Sequence, residues 1–382
     1  MKAEAPTPPH FEVVADAAKR GRIAVFLGAG VNYAQQPAGR SWRPEAEYLP
    51  TGRELSHYLA QASGFPSQLE VPECAGVPIP QNGVAAGAGN SCPIRHDFVK
   101  SVRGVLEADL AQVCQHIQTS ARGKLNLPLE LQRIFERDYA PTLVHDVLAK
   151  LPSKSERNRG SIFITTNYDT VMESALAAAG EPFDVVYYRA PTVANPVWLY
   201  HWRNAHEYYE ARRLKTPAGV MRDETPITAL AEYDGLPIGS DQQRGYPSIE
   251  PEDKARTLVV KIHGTVSPDG FESSSFVISQ NDYIQFLRTV STKTPFPTTL
   301  EDRLKEVHFL FVGYGLGDWN ILAICQNLWA RRGVPNLYNW AIQKDPSQAD
   351  IDRWESASDG SATIDLFNQD GAEYAKQLNQ YL

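Results

Sequence analysis

An apolar run that ends at two glycines constrains the fold of this chain more than any other stretch. Residues 22–32 read RIAVFLGAGVN, so five apolar residues of strand length lead directly into Gly28, Ala29 and Gly30. Glycine adopts positive φ and lets another group approach the backbone closely, and a helix starting after such a turn points N–H groups at an anion. The stretch predicts a strand and a tight turn, either at a phosphate-bearing ligand or at an ordinary strand end of an α/β protein.

The same alternation of short apolar strands with helical segments continues along the chain. Further strands are predicted at 162–165, 183–188, 257–262, 307–312 and 337–342. Helices are predicted at 11–19, 52–62, 170–179, 281–290, 319–331 and 372–382. This order favours a parallel sheet with helices on both faces, a Rossmann-like doubly wound α/β fold with an inserted helical subdomain.

We expect residues 1–382 to form one catalytic domain with two insertions. Residues at about 64–155 join a stretch rich in Gly, Pro and Ala to segments of helical spacing, which predicts a mainly helical insertion. Residues 191–256 are predicted to be irregular or helical. They open with an aromatic and basic run at 197–214, which fits a helix packed on its own core, a partner surface or, less well, a nucleic-acid contact.

Composition narrows the class of protein. The formal net charge of -8 argues against a surface that is basic throughout, so direct nucleic-acid binding is not expected. No apolar run is long enough to span a bilayer and the first residues lack a signal peptide, so a cytoplasmic location is expected. The four cysteines have no close paired spacing, and therefore neither a zinc site nor any other metal site is expected.

Four of the predicted strands end in polar or glycine-rich tips. The tips read GAG at 28–30, TTNYD at 165–169, HG at 263–264 and GYG at 313–315. Because ligands in doubly wound sheets bind beyond the carboxyl ends of the strands, these tips are candidates for one site. Individually, Asn167 and Asp169 also fit helix caps, His263 a turn histidine, and Gly313 a sharp turn.

Together the tips fit a dinucleotide held at its pyrophosphate by the first turn. Cleavage of an N-glycosidic bond to a pyridinium passes through an oxocarbenium-like state, which requires an oriented ribose, a water and a base. Asn167 and His263 suit that chemistry.

The ordered set GAG, TTNYD, KIHGT and GYGLGD resembles the sirtuin family of NAD-consuming enzymes. The resemblance extends from residue 11 to about 343, between the insertions. It implies that Asn167 orients the ribose and an attacking water, that Asp169 lies near the nicotinamide carboxamide, and that His263 is the general base. The cofactor-binding residues that it implies are Gly28, Ala29, Gly30, Asn32, Thr166, Gly313, Gly315 and Asp318.

Two departures from the protein-deacylating sirtuins affect the expected function. The paired cysteines of their zinc module are absent, and Asn32 stands where those enzymes usually have serine. With its GYGLGDWN segment and helical insertion, the chain looks more like the bacterial sirtuin-like NAD+ hydrolases of anti-phage defence. We therefore expect an NAD+ hydrolase that releases nicotinamide and ADP-ribose, with an NAD-dependent deacylase and a silent NAD or ADP-ribose sensor as alternatives.

The resemblance also implies assembly. A HerA-type hexameric ATPase is the favoured partner and a short Argonaute protein the second choice. A large homo-oligomer is expected, and association with a membrane is not expected. The loop at 33–50 either closes over the ligand or is a solvated connector.

Overall fold

The computed structural model describes the parts of the chain that build the sheet, its covering helices and the strand tips. The described residues are 5–35, 42–65, 109–120, 125–155, 160–192, 197–215, 222–229, 233, 235–236, 256–266, 275–291, 296–315, 319–330, 337–357 and 364–382.

The described strands form one nine-stranded mixed sheet and a short two-stranded ribbon. The strands of the sheet are β1 (Ile23–Leu27), β2 (Ile162–Thr165), β3 (Phe183–Tyr188), β4 (Leu199–Arg203), β5 (Asp223–Pro226), β6 (Thr257–Lys261), β9 (His308–Val312), β10 (Asn339–Gln343) and β11 (Ile364–Asn368). The ribbon pairs β7 (Gly264–Thr265) with β8 (Ser275–Phe276).

The strand order of the sheet is β11-β10-β9-β1-β2-β6-β3-β4-β5, and all neighbours from β11 to β3 are parallel. The first strand therefore lies at the centre, where Val25 pairs with Phe163 on one side and Leu310 on the other. The chain continues from β1 to one side of the sheet and returns to the other side with β9. This arrangement confirms the predicted Rossmann-like doubly wound fold and makes the β1–β9 boundary its topological switch point.

Helices cover both faces of the sheet. In chain order the described helices are α1 (Pro8–Lys19), α2 (Gly52–Ser63), α3 (Leu110–Thr119), α4 (Leu127–Phe135), α5 (Leu143–Leu148), α6 (Val171–Ala178), α7 (Ala205–Arg213), α8 (Gln280–Ser291), α9 (Thr298–Lys305), α10 (Trp319–Ala330), α11 (Gln348–Ala357) and α12 (Gly371–Leu378). None of these described helices has both the length and the apolar character needed to cross a bilayer.

The core consists of two apolar layers, one on each face of the sheet. Successive side chains of a strand point to opposite faces, so Phe26 packs with helices α8–α11 and Val25 with α1, α5–α7 and α12. A third apolar cluster joins helices α2, α3 and α4 to Tyr168 and Val266, which follow β2 and β6. This cluster fixes the helical subdomain above the carboxyl ends of the strands.

The structure departs from the sequence prediction at the edges of the sheet. Within 191–256, where helix or irregular chain was expected, β4 and β5 extend the sheet in antiparallel pairing. Strand β4 has no alternating pattern, because Leu199 through Trp202 are all buried. At the other edge, the strand at 337–342 was predicted to be the last, which is wrong because β11 pairs beyond it.

Two further differences from the prediction concern helices. Helices α9 and α11 were not predicted from the sequence. Helix α1 begins at Pro8 rather than at residue 11, because proline is well suited to the first turn of a helix, where its missing N–H costs no hydrogen bond. Residues 66–108, which include most of the predicted Gly-, Pro- and Ala-rich stretch at 64–95, lie outside the described residues.

Candidate functional site

A cavity of about 310 Å³ lies between the carboxyl ends of the central strands and the helical subdomain. The residues that line it are Gly28, Ala29, Gly30, Asn32, Pro50, Thr51, Gly52, Leu55, Leu110, Phe135, Thr166, Asn167, Tyr168, Asp169, His263, Tyr283, Gly313, Tyr314 and Gly315. All the site residues predicted from the sequence are among them except Asp318, which lies outside the described residues. The volume is in the usual range for small-molecule sites.

Three glycines form the junction of β1 and β9 at the switch point. A Cβ at Gly28 would lie 2.4 Å from the Gly313 carbonyl oxygen, and a Cβ at Gly30 would lie 2.7 Å from the same atom. Gly313 has a φ of +63°, and its own Cβ would lie 2.3 Å from the Val31 nitrogen. Because each glycine meets backbone atoms, only glycine lets the two strand ends approach so closely.

This junction changes the expected role of the first turn. The Gly28 N–H donates to the Val312 carbonyl at 3.1 Å, and the Gly30 N–H donates to the Gly313 carbonyl at 2.9 Å. A 3₁₀ helix at Ala29–Gln35 follows the turn. Gly28 and Gly30 border the cavity, but their N–H groups are engaged within the chain, so close strand packing accounts for these glycines without a phosphate.

Asn167 is fixed against the first turn. Its side-chain Nδ2 donates to the Gly28 carbonyl at 3.3 Å, and its backbone N–H donates to the Thr165 hydroxyl at 3.0 Å. The Thr165 hydroxyl in turn donates to the Leu27 carbonyl at 2.9 Å. These bonds join the ends of β1 and β2 and orient the half-buried Asn167 amide at the cavity, with Thr166 beside it.

Asp169 and Asn32 are both buried and both line the cavity. Asn32 Nδ2 donates to Asp169 Oδ2 at 3.4 Å. The other carboxylate oxygen, Oδ1, accepts from the Val171 N–H at 3.1 Å at the start of α6. Asp169 is therefore a helix-capping group that also borders the cavity, and Asn32 has a partner that the sequence did not reveal.

Beneath Asp169 lies a buried ion pair that the sequence analysis missed. Lys261 Nζ is 3.0 Å from Glu173 Oε1, and both side chains are only 1% exposed. Lys261 Nζ also donates to the Asp169 backbone carbonyl. Burial raises the pKa of Glu173, and the positive charge of Lys261 opposes that shift. A lysine in the buried run TLVVKI is itself a signal, since lysine is rarely buried without a partner.

His263 is buried at the cavity wall, between two aromatic side chains. Its ring meets those of Tyr283 and Phe286 edge-on, at centroid distances of 5.4 and 5.5 Å. The next residue, Gly264, has a φ of +85°, and a Cβ there would lie 2.0 Å from the Ser275 carbonyl oxygen. Glycine at this position lets the chain turn into the β7–β8 ribbon and holds the histidine at the end of β6.

Apolar residues of the subdomain form the opposite wall. Leu55 of α2, Leu110 of α3 and Phe135 of α4 face the strand tips. Helix α2 begins with the predicted capping box, in which Thr51 and Glu54 exchange two hydrogen bonds. The sequence predicted these helices in outline, but which side chains reach the cavity depends on tertiary packing.

A buried histidine, His145, is linked through Thr142 to the 3₁₀ helix. The Thr142 hydroxyl donates to the Val31 carbonyl at 3.0 Å, and the Thr142 N–H donates to His145 Nδ1 at 3.2 Å. Burial lowers the pKa of His145 to about 4, so the ring is neutral at pH 7. This neutral ring accepts a hydrogen bond that a charged imidazolium could not.

Two cavity-lining glycines contrast with those at the junction. A Cβ at Gly52 or Gly315 would meet no atom within 4 Å, so the backbone there borders open space.

Across the described ranges, no group of three or more His, Cys, Asp or Glu side chains is placed to hold a metal ion. Cys114 and Cys325 are both fully buried.

Comparison with known families identifies the chain. A family model described as a SIR2-like domain matches residues 161–363, more than half of the 382 residues. The matched segment contains Asn167, Asp169, His263 and Gly313, whereas the first glycine turn precedes it. No curated protein is similar to the chain at a significant level. The sirtuin-like resemblance is thus confirmed at the family level, and the chain belongs to the SIR2-like family, whose domains are NAD-dependent enzymes.

Proposed function

We propose that the chain is an NAD+ hydrolase that releases nicotinamide and ADP-ribose. The observation that carries the proposal is that Asn167, His263 and the glycine tips of β1 and β9 border one cavity at the switch point. Membership of the SIR2-like family supports NAD as the substrate.

Asn167 and His263 have complementary roles in this proposal. The Asn167 amide, anchored on Gly28, orients the ribose and an attacking water. His263, held between Tyr283 and Phe286, accepts a proton from that water or from a ribose hydroxyl. Water is the final acceptor, so the products are nicotinamide and ADP-ribose.

The described cavity fits parts of such a substrate. The open space beside Gly315 and Gly52 leaves room for bulky groups against the backbone. The apolar wall of Leu55, Leu110 and Phe135 offers a surface for an aromatic ring.

Nicotinamide release from NAD+ by the purified protein tests the proposal directly. We expect release without any acylated peptide, and formation of ADP-ribose in equal amount. If NAD+ stays intact with the protein alone and in every assembly with its partner, the hydrolase proposal is wrong.

The two alternatives give different results in the same assay. An NAD-dependent protein deacylase releases nicotinamide faster when an acylated peptide is added. A silent sensor binds NAD+ or ADP-ribose but leaves the NAD+ concentration unchanged over hours.

We further propose that the enzyme is an effector of bacterial anti-phage defence and is activated in an assembly. The motif resemblance supports a HerA-type hexameric ATPase as partner, ahead of a short Argonaute protein, and a large homo-oligomer. Co-expression with the neighbouring gene product, followed by mass measurement and the NAD+ assay, tests this. A monomer with the same turnover with and without the ATPase contradicts it.

A further inference from the structure

Lys261 connects the two segments that carry the proposed catalytic side chains. It ends β6 two residues before His263, and its Nζ donates to the carbonyl of Asp169, in the segment that contains Asn167. The same Nζ is 3.0 Å from Glu173 Oε1 on α6. Between β6 and the start of α6, the lysine is therefore a fixed cross-link.

The charges of this pair are poorly explained by stability alone. A buried ion pair loses hydration on both partners, and apolar residues of similar volume often replace such a pair without loss of stability. Lys261 and Glu173 are both 1% exposed, so nearly all of that hydration is lost here. Glu173 Oε2 has no hydrogen-bond partner among the described residues. The pair is thus only partly satisfied, and it contacts Asp169, which lines the cavity.

From this arrangement we infer that Lys261 is a positioning residue for the proposed NAD+ hydrolysis, with the Glu173 carboxyl group holding the lysine Nζ in place. Lys261 holds the Asp169 carbonyl, and Asp169 in turn fixes the start of α6 and contacts Asn32. Without Lys261, the segment that contains Asn167 shifts relative to His263. The inference rests on the proposed function, because it concerns the geometry of that same site.

A double substitution separates positioning from stability. Lys261→Met alone leaves the Glu173 carboxyl buried without its partner and is expected to lower the melting temperature. Lys261→Met combined with Glu173→Leu removes both charges and restores the melting temperature to near that of the wild type. The double variant still lacks the bond to the Asp169 carbonyl.

The expected result is a loss of turnover without a loss of stability. In the double variant we expect kcat to fall about 10- to 100-fold, while KM for NAD+ stays within about three-fold of the wild-type value. A small displacement of the catalytic side chains mainly reduces stabilisation of the transition state and leaves substrate binding nearly unchanged. The control replaces Lys305 and Glu301, an ion pair on α9 outside the cavity lining, by Met and Leu. That control should keep wild-type kcat.

Hydrogen exchange provides a readout that does not depend on activity. We expect faster exchange of the Asn167 and Val171 amides in the double variant, because both amides bond within the segment that Lys261 holds. Wild-type kcat together with wild-type exchange in the double variant overturns the inference. If the wild-type protein hydrolyses no NAD+, the proposed function fails, and the exchange rates alone then decide whether Lys261 positions the segment.

Discussion

The two walls of the cavity are built by different kinds of contact. The strand-end wall is held by backbone contacts among Gly28, Gly30 and Gly313 and by the buried Lys261 beneath it. The subdomain wall consists of apolar side chains from three helices, such as Leu110. Backbone contacts fix the two strand ends relative to each other, whereas the apolar side chains mainly provide contact surface.

This difference suggests that the two walls have different functions. The strand-end wall carries the proposed chemistry, and the subdomain wall contributes ligand affinity. Substitutions on the first wall should therefore change kcat or abolish folding, while those on the second should change KM. Four predictions test this division.

The largest effect is expected at the proposed catalytic side chains. Asn167→Ala and His263→Ala should each lower kcat for NAD+ hydrolysis about 10²- to 10⁴-fold, because orientation of the ribose or proton transfer is lost. Circular dichroism and thermal melting should show an intact fold. As a control, Asn126→Ala removes an exposed helix cap on α4 and should leave kcat unchanged. Wild-type rates in both site variants would refute the assignment.

The next effect concerns the glycine junction. Gly313→Ala places a Cβ 2.3 Å from the Val31 nitrogen at a positive φ, so we expect destabilisation on the order of 3 kcal/mol. Urea unfolding measures it. Gly315→Ala, which meets no atom within 4 Å, should unfold like the wild type. Equal stability of the two variants would show that the junction is not rigid.

Acid should weaken the strand-end wall through His145. Its folded pKa of about 4 lies below the usual value of 6.5, so the unfolded chain binds more protons between these two pH values. Stability is therefore complete above pH 6.5, and about 3 kcal/mol is lost as the pH falls to 4.

The variant His145→Gln tests this cause of acid sensitivity. Unfolding free energies measured from pH 7.5 to 4 should fall less steeply in the variant than in the wild type. Some slope should remain, since burial also lowers the pKa of His10 to about 4. Identical slopes in both proteins would rule out His145 as a source.

The smallest effect is expected on the subdomain wall. Leu110→Ala removes part of an apolar contact surface, so KM for NAD+ should rise about three- to ten-fold with little change in kcat. Leu129→Ala, at an exposed position of α4, is the matched control and should change neither constant. A hundred-fold fall in kcat for Leu110→Ala would contradict the division between the walls.

The strand tips could be predicted because their signals are local. An apolar run that stops at Gly28, or at Thr166 and Asn167, identifies a strand end from neighbouring residues alone. The parallel order then brings these ends to one edge of the sheet. The helix at 52–62 could be predicted equally well, since its capping box lies within four residues.

Other features depend on contacts that no local pattern contains. The roles of Phe135 and Tyr283 follow from how the helices dock over the sheet. Strand β4 escaped prediction because its sequence, LYHWR, is neither a continuous apolar run nor an alternating pattern, although its first four residues are buried. The close approach of Gly313 to Gly30 joins residues far apart in the chain. It gives these glycines a packing role, where the sequence left open a phosphate-binding turn, an ordinary strand end and, for Gly313, a sharp turn.

The central position of β1 has a consequence for biosynthesis. This strand is synthesised long before its second neighbour, β9, which is complete only at residue 312. Contacts between such distant segments form slowly, and a domain generally folds as a unit during synthesis. The cavity at the switch point is lined by residues on both sides of this strand pair, so it cannot form in a nascent chain that ends before residue 312.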